Sequence, residues 1–367
     1  MKIKKRARDL GLPFPGETGH HNAITDVSGV EVGYTTLIEG EGPVNIGCGP
    51  IRTGVTAILP KGKKEKMEPV WAGFYSLNGN GEMTGTHWIN DGGYFLSPIC
   101  ITNTHSVGIA HHAVTKWMIK QYKKQFSENH LWTMPVIAET YDGALNDING
   151  QHIREEHVIS AIESAASGLI EEGNVGGGTG MICYDFKGGT GTSSRVFNIA
   201  GKQYTVGALV QANHGIRDWL TILGVPVGKH LTENPLFNKE RGSIIVIIGT
   251  DIPMLPHQLK RVAKRAAIGI GRNGTPGGND SGDIFLAFSV ANEMDIPQIG
   301  EEKWHMECLN DELFDVIYES VCQSVDEAVV NALVAAESMP LAKPHGRTVE
   351  AIDHEQLIEV MKKYGRL

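Results

Sequence analysis

The chain has 367 residues, of which 41% are hydrophobic and 20% charged, and its formal net charge is −9. That balance supports a large packed core, in one large domain or two, and excludes an intrinsically disordered chain. The acidic total excludes nucleic acid as a partner, because the densest basic cluster, Lys61, Lys63, Lys64 and Lys66, reads as a solvated loop.

Cys48, Cys100, Cys183, Cys308 and Cys322 are widely spaced and form no C-x-x-C, which fits reduced thiols in a cytoplasm better than a disulfide framework. Residues 1–10 are basic but lead into Gly11-Leu12-Pro13 without an apolar segment, so we expect no signal peptide and no membrane span.

In chain order, residues 22–34 alternate apolar and polar side chains, as half-buried strands do. Residues 52–60 predict a strand closed by Pro60. Residues 73–92 are glycine-rich and carry Asn78, Asn80, Glu82, Thr84, Thr86, His87 and Trp88. A short strand follows at 97–102, then a helix over 107–122 with Val114, Trp117, Met118 and Ile119 on one side. Residues 134–139 predict a strand running into Tyr141-Asp142-Gly143, and 157–168 have helical spacing. Glycine clusters at 176–180 and 188–192 read as turns flanking a strand over 181–186. Residues 195–199 and 204–210 predict a hairpin through Gly201-Lys202. Residues 223–238 are irregular and read as an exposed loop in which a cut would be tolerated.

The stretch Arg241-Gly242-Ser243-Ile244-Ile245-Val246-Ile247-Ile248-Gly249 holds five consecutive β-branched apolar residues bounded by glycines, the pattern of a buried strand. A basic helix over 256–267, a strand over 283–288 and a long helix over 309–336 complete the chain. Strands and helices alternate without a strict βαβ rhythm, which predicts a layered α/β or α+β architecture with helices on the outer faces.

Ser243 stands at the mouth of the predicted core strand. Glycine before it permits backbone geometry that other residues resist. Addition of the Ser243 hydroxyl to the Gly242 carbonyl would turn the peptide into an ester, and water would release Ser243 as a new N-terminus. That residue would carry both a nucleophilic hydroxyl and an α-amine with a pKa of roughly 7.7–8.0, suited to a base at neutral pH. On these residues alone the step is also an ordinary turn into a strand.

Other stretches qualify as chemistry or as turns. Asn213 ends a strand, where its amide could donate to an oxyanion, and Glu139 and Tyr141 likewise follow a strand. Ser281 and Asp283 share one face if the strand has begun there, which would put a hydroxyl beside a carboxylate. Gly269-Ile270-Gly271-Arg272-Asn273-Gly274 matches G-x-G-x-x-G, but it follows a helix where a dinucleotide site needs a strand. The chain lacks a phosphate-loop lysine motif and an H-E-x-x-H, and adjacent pairs such as His20-His21 and His111-His112 point apart, so no metal or organic cofactor is expected.

Several blocks in one order resemble the family of L-aminopeptidase/D-esterases and β-peptidyl aminopeptidases, which mature by self-cleavage before a serine. They are Asn22-Ala23-Ile24-Thr25-Asp26-Val27, Arg52-Thr53-Gly54-Val55-Thr56-Ala57, Gly85-Thr86-His87-Trp88, Thr102-Asn103-Thr104-His105-Ser106-Val107-Gly108, Ala138-Glu139-Thr140-Tyr141-Asp142-Gly143, Val210-Gln211-Ala212-Asn213, Gly242-Ser243 and Ser281-Gly282-Asp283. The resemblance implies an αββα sandwich shared with the ornithine acetyltransferases, in one domain cut into residues 1–242 and 243–367. It implies Ser243 as nucleophile, Asn213 and Tyr141 at the oxyanion, Ser281 and Asp283 in proton transfer, and Glu139 as the anchor of a substrate amine. Where family members often carry Glu, this chain has the shorter Asp283.

The implied activity is release of N-terminal residues, β- or D-amino acids among them, from short peptides, amides or esters, by a cytoplasmic homotetramer of cleaved protomers. An acyltransferase using an amine acceptor shares the acyl-enzyme, although such transferases characteristically cut before threonine. A binding protein that keeps Gly242-Ser243 intact is the third reading.

Overall fold

A computed structural model describes residues 4–237, 239–240 and 242–367. Asn238 and Arg241, which the sequence reading includes in the loop and in the strand motif, lie outside the described residues, as do residues 1–3. The strands are β1 (Glu31–Glu39), β2 (Ile51–Leu59), β3 (Val70–Ser76), β4 (Tyr94–Phe95), β5 (Ile99–Asn103), β6 (Val136–Thr140), β7 (Ile182–Cys183), β8 (Phe186–Lys187), β9 (Gly189–Ile199), β10 (Lys202–Asn213), β11 (Ser243–Thr250) and β12 (Asp283–Ser289). The helices are α1 (Thr86–Gly92), α2 (Val107–Gln121), α3 (Lys123–Glu128), α4 (Glu155–Glu163), α5 (Pro256–Ala263), α6 (Ala266–Arg272), α7 (Asp315–Val334) and α8 (His354–Lys363).

Two sheets carry the architecture, one in the order β1-β2-β5-β6 and one in the order β4-β3-β12-β11-β10-β9. Side chains alternate across a strand, so a sheet covered on both faces needs continuous apolar runs. β11 shows the consequence. Ile244, Val246 and Ile248 face the helical layer of α5, α6 and α7, whereas Ile245 and Ile247 enter the core between the sheets. Val32, Ile58, Ile99, Ile101, Val136 and Ala138 meet them there from the other sheet. The outer face of that sheet, with Val55, Ala57, Cys100 and Ile137, packs on α2 and α4. The result is the helix–sheet–sheet–helix sandwich that the family resemblance implies. One polar link crosses the inner core: the buried Gln211 amide donates to Thr102 O at 3.1 Å and to Thr140 Oγ1 at 2.7 Å.

Local differences from the sequence reading have local causes. Residues 22–27 turn through a 3-10 segment, Ile24–Asp26, instead of a strand. Asn22 has φ 48°, and the Asp26 carboxylate accepts the His21 and Ala23 N–H groups, which pulls the chain into a turn. Residues 181–186 form not one strand but the hairpin β7–β8, because Tyr184 and Asp185 take φ 51° and 60°, the pattern of a primed two-residue turn. The glycines at 188–192 are not a turn. Gly189 opens β9, and a Cβ on Gly191 would lie 2.0 Å from Ala328 O, so the bare strand lets α7 settle directly on it. The glycine-rich stretch likewise begins inside a strand the sequence reading missed, β3, where α5 lies against Gly73. Of the G-x-G-x-x-G glycines, Gly269 and Gly271 belong to α6 and Gly274 follows it at φ 101°, and Gly269 gives room for Val325 of α7. The long helix starts at Asp315, later than the sequence suggests. Residues 223–237 are only partly exposed, at Gly224, Lys229 and 232–235, since Val225, Val227 and Leu231 are buried.

Lys187 is fully buried, and its ammonium donates to Gly188 O at 2.8 Å. Burial pushes its pKa down to about 7. In the unfolded chain the value is about 10.4. Between the two, the unfolded state binds a proton that the native state does not, so stability rises with pH across that window. Lys187→Met should therefore gain most over the wild type at pH 6, and the gain should shrink by up to ~1.4 kcal/mol per pH unit between pH 7 and 10. Denaturant titrations across that range check this, and a difference independent of pH would exclude a neutral Lys187.

Candidate active site

Ser243 is the first residue of β11, and its Cα partner across the antiparallel ladder is Asn213, the last residue of β10. The step before it has no freedom to carry a side chain. A Cβ on Gly242 would sit 1.5 Å from the Asn213 carbonyl oxygen. Glycine therefore serves here for close approach. Ser243 is buried, and its Oγ accepts the Gly282 N–H at 3.0 Å. A backbone donor on that oxygen favours negative charge on it.

Gly282 is the hub of the neighbouring strand end. β12 runs parallel to β11 with Ile244 opposite Asp283. Ser281 Oγ donates to Asp283 Oδ1 at 2.5 Å, and Asn78 Nδ2 donates to Asp283 Oδ2 at 3.1 Å. No ion-pair partner meets Asp283 among the described residues. Burial pushes its pKa above the usual carboxylate range, against the pull of the Ser281 and Asn78 hydrogen bonds. Glu240, three residues ahead of Ser243, is also buried and accepts the Gly215 N–H at 2.7 Å. Burial raises its pKa too, and the nearby Asp283 adds to the effect. This corner therefore holds carboxylates with elevated proton affinity beside a hydroxyl held by a backbone amide.

On the opposite side, Asn213 is fixed at both ends of its amide. Its Oδ1 accepts the Ile182 N–H at 2.8 Å and its Nδ2 donates to Tyr141 O at 3.1 Å. The Ile182 bond settles which end is nitrogen. Of the two amide protons one goes to Tyr141, leaving the other for an incoming oxygen. Tyr141 reaches Asn213 through its carbonyl. The residue is 45% exposed, and its phenol lies over Gly143, at the rim of the cavity. That cavity, of about 460 Å³, is lined by Tyr141, Asn213 and Gly242 with Ile182, Phe237 and Lys343 among others.

Glu139 is more enclosed than a strand-end carboxylate at a pocket edge. It is 4% exposed and does not line the cavity. Its Oε1 accepts the Glu82 N–H at 2.9 Å, and Oε2 accepts the Thr104 hydroxyl. Burial raises its pKa, opposed by those two hydrogen bonds. Glycines stand between it and the strand end that holds the nucleophile: a Cβ on Gly81 would touch Gly282 Cα at 3.3 Å and Glu139 Oε1 and Ile284 Cδ1 at 3.4 Å. Ser243, Ser281 and Asp283 thus converge on Gly282, Asn213 and Tyr141 meet on the cavity side, and Glu139 lies beside Gly81. Sequence reasoning missed the parts played by Asn78, Gly81, Thr104, Gly282 and Glu240. The run Leu77-Asn78-Gly79-Asn80-Gly81 carries the one available signal, since it reserves bare backbone and amides for a close approach.

The family model for peptidase family S58 matches residues 22–347. The chain belongs to peptidase family S58. The β-peptidyl aminopeptidase BapA of Sphingosinicella microcystinivorans is 51% identical to it, over 99% of this chain and 93% of that protein. Among solved structures, the L-aminopeptidase D-Ala-esterase/amidase of Ochrobactrum anthropi superposes with a TM-score of 0.95 at 57% identity, covering 99% of this chain and 100% of that one. It is described as a prototype of the serine aminopeptidases with a variant of the Ntn hydrolase fold. A Burkholderia sp. β-aminopeptidase matches with a TM-score of 0.89 and 42% identity, over 98% and 99% of the two chains. The S58 chain described here is accordingly a hydrolase with that layered fold. Among the described residues no three His, Cys, Asp or Glu side chains gather as metal ligands would, and no helix is long and apolar enough to cross a membrane.

The Gly242 contact has a measurable cost. In a Ser243→Ala background, which removes the hydroxyl, Gly242→Ala should lower stability by roughly 1–3 kcal/mol, as forced overpacking does. Equal denaturation midpoints with and without the added methyl would show that the Asn213 carbonyl yields freely.

Proposed function

We propose that the chain is a serine aminopeptidase that matures by cutting its own backbone between Gly242 and Ser243. The observation that carries this reading is the placement of Ser243 Oγ on the Gly282 N–H, with Asn213 opposite it and the Ser281–Asp283 pair beside it. Ser243 Oγ adds to the Gly242 carbonyl carbon, the C–N bond breaks, and the proton lost by the hydroxyl ends on the new amine. Water then hydrolyses the ester to a Gly242 carboxylate and a free Ser243. The same oxygen next attacks the carbonyl of a substrate's first residue, the leaving group departs protonated, and water releases the acyl group.

Asn213 Nδ2 and Tyr141 serve the oxyanion, a contribution of roughly 2.7–4 kcal/mol per donor. The base is the Ser243 α-amine or the Ser281–Asp283 pair. Glu139 receives the substrate ammonium. Thr104 and the Glu82 amide take one lone pair on each of its oxygens, and a cation would offset the burial of its charge.

The substrates we assign are short peptides, amides or esters with a free amine, with β- and D-residues supported by the names of the relatives. The protomers form a cytoplasmic homotetramer. The support is the set of free cysteines and the exposed apolar side chains Ile119, Trp132 and Met134, which a subunit contact would cover.

Intact-mass measurement of purified protein should give fragments 1–242 and 243–367, held together in one native assembly. Ser243→Ala should remain a single chain without activity. A full-length wild type that hydrolyses aminoacyl amides normally would overturn maturation at Ser243. Glu139→Gln keeps the shape and removes the charge. It should still self-cleave but lose about 30-fold or more in kcat/KM on free aminoacyl amides, the lower end for unpairing a buried charge. N-acetylated substrates, poor for the wild type, should be affected much less. Equal activity of the variant and wild type on a free aminoacyl amide would remove the amine-anchor role.

A further inference from the structure

The cavity beside Asn213 does not end at Tyr141. A second chamber of about 370 Å³ adjoins it, and Tyr141, Gly143, Lys343 and Pro344 line both. Its far wall is apolar, with Pro43, Val44 and Ile46. The backbone at 342–343 is pinned beside Gly143, because the Ala342 and Lys343 N–H groups both donate to Ala144 O at 3.0 Å. That leaves the exposed Lys343 side chain at the junction and His345 in the second chamber.

The charges of this cleft are one-sided despite a chain total of −9. Of the two acidic residues that line it among the described ones, Asp147 is hydrogen-bonded and Asp185 is buried, its Oδ2 without a hydrogen-bond partner. Asp147 accepts the Gly47 N–H at 2.8 Å, the Gly150 N–H at 3.2 Å and the His152 ring at 2.9 Å. Asp185 is 2% exposed, with the Arg217 charge acting on it. Among the described residues that line it, the exposed charged side chains are Lys239 and Lys343. Lys239 precedes Gly242, so processing puts it on the segment that ends at the cut. Lys343 lies after Ser243 and stays with the nucleophile.

Direction follows from the site. Glu139 lies beside Gly81 and Gly282 and lines neither chamber, whereas Asn213 and Tyr141 line the first and Tyr141 the second. A substrate with its amine at Glu139 would send its leaving group into the chambers. We infer that this leaving-group side is a carboxylate-reading subsite, in which Lys343, with His345 behind it, binds the free C-terminal carboxylate of a short peptide. The inference rests on the aminopeptidase reading above and deepens it. The site then reads both ends of a zwitterionic peptide, with a carboxylate for its ammonium and an ammonium for its carboxylate, and prefers an apolar residue after the cut.

The test compares β-alanyl-leucine with β-alanyl-leucinamide by the release of β-alanine, in the wild type, Lys343→Met and Lys343→Glu. The wild type should favour the acid. Lys343→Met should lower the acid-to-amide ratio of kcat/KM about three- to fivefold, the scale of a partly exposed ion pair. Lys343→Glu should turn the preference toward the amide, and added salt should weaken the wild-type preference. A structural role for Lys343 would move both substrates together. A ratio unchanged by both variants, or a wild type that favours the amide, would overturn the subsite. A wild type that releases nothing from these peptides, nor from their L- and D-alanyl counterparts, would instead overturn the aminopeptidase reading and the subsite with it.

Discussion

The site depends on one steric constraint, the contact between the Gly242 backbone and the Asn213 carbonyl. Because a Cβ at Gly242 would lie 1.5 Å from that oxygen, the ends of β10 and β11 close to a distance only glycine permits. The contact fixes the register in which Asn213 faces Ser243. It also brings the carbonyl carbon of Gly242, the hydroxyl of Ser243 and the amide of Asn213 into one corner. The hairpin β7–β8 then orients the Asn213 amide through the Ile182 N–H, and the strand end at Gly282 holds the Ser243 oxygen. Two backbone segments far apart in sequence thus aim one side chain each, and the precision comes from rigid strand ends.

Around this corner the electrostatics are unusual in sign. Asp283, Glu139 and Glu240 are buried without a lysine or arginine ion pair among the described residues, and burial raises the pKa of each. Such groups gain from protons or from a cation that arrives with the substrate. The same chain shows the opposite arrangement where stability alone is at stake. Glu327 on α7 meets Arg195 at 2.7 Å and Arg8 at 2.9 Å and accepts from Asn22 at 2.6 Å. Burial opposes its ionisation, but the Arg8 hydrogen bond and the Arg195 charge hold its pKa below the usual range. Saturated carboxylates thus anchor the outer helix and the N-terminal segment, and unpaired ones surround the nucleophile.

Glycine provides the third theme, since several of the 45 glycines stand where elements touch. Gly73 admits α5, Gly191 admits α7, and Gly81 with Gly282 stands between Glu139 and the strand end that holds Ser243. At those positions the missing side chain sets the distance between layers or between functional groups.

The sequence by itself determined the layered α/β class, the buried strand behind Ser243, the placement of Glu139, Asn213 and Asp283 at strand ends, and, through its ordered motifs, the family. These features are legible because alternation, β-branched runs and glycine boundaries act over a few residues. It misplaced the 22–27 segment, the β7–β8 hairpin and β3, where an Asp26 cap, two residues at positive φ without an Asn-Gly signal, and a packing glycine override local pattern. Only the tertiary structure decided that Ser281 bonds Asp283, that Gly282 holds the Ser243 oxygen, that Asn78 and Thr104 complete the carboxylate shells, and that Lys343 stands at the mouth of a second chamber. Those contacts join residues up to about 200 positions apart. They exist because strands from distant parts of the chain end at one edge of a closed core, a consequence of packing both sheets that no local window of sequence contains.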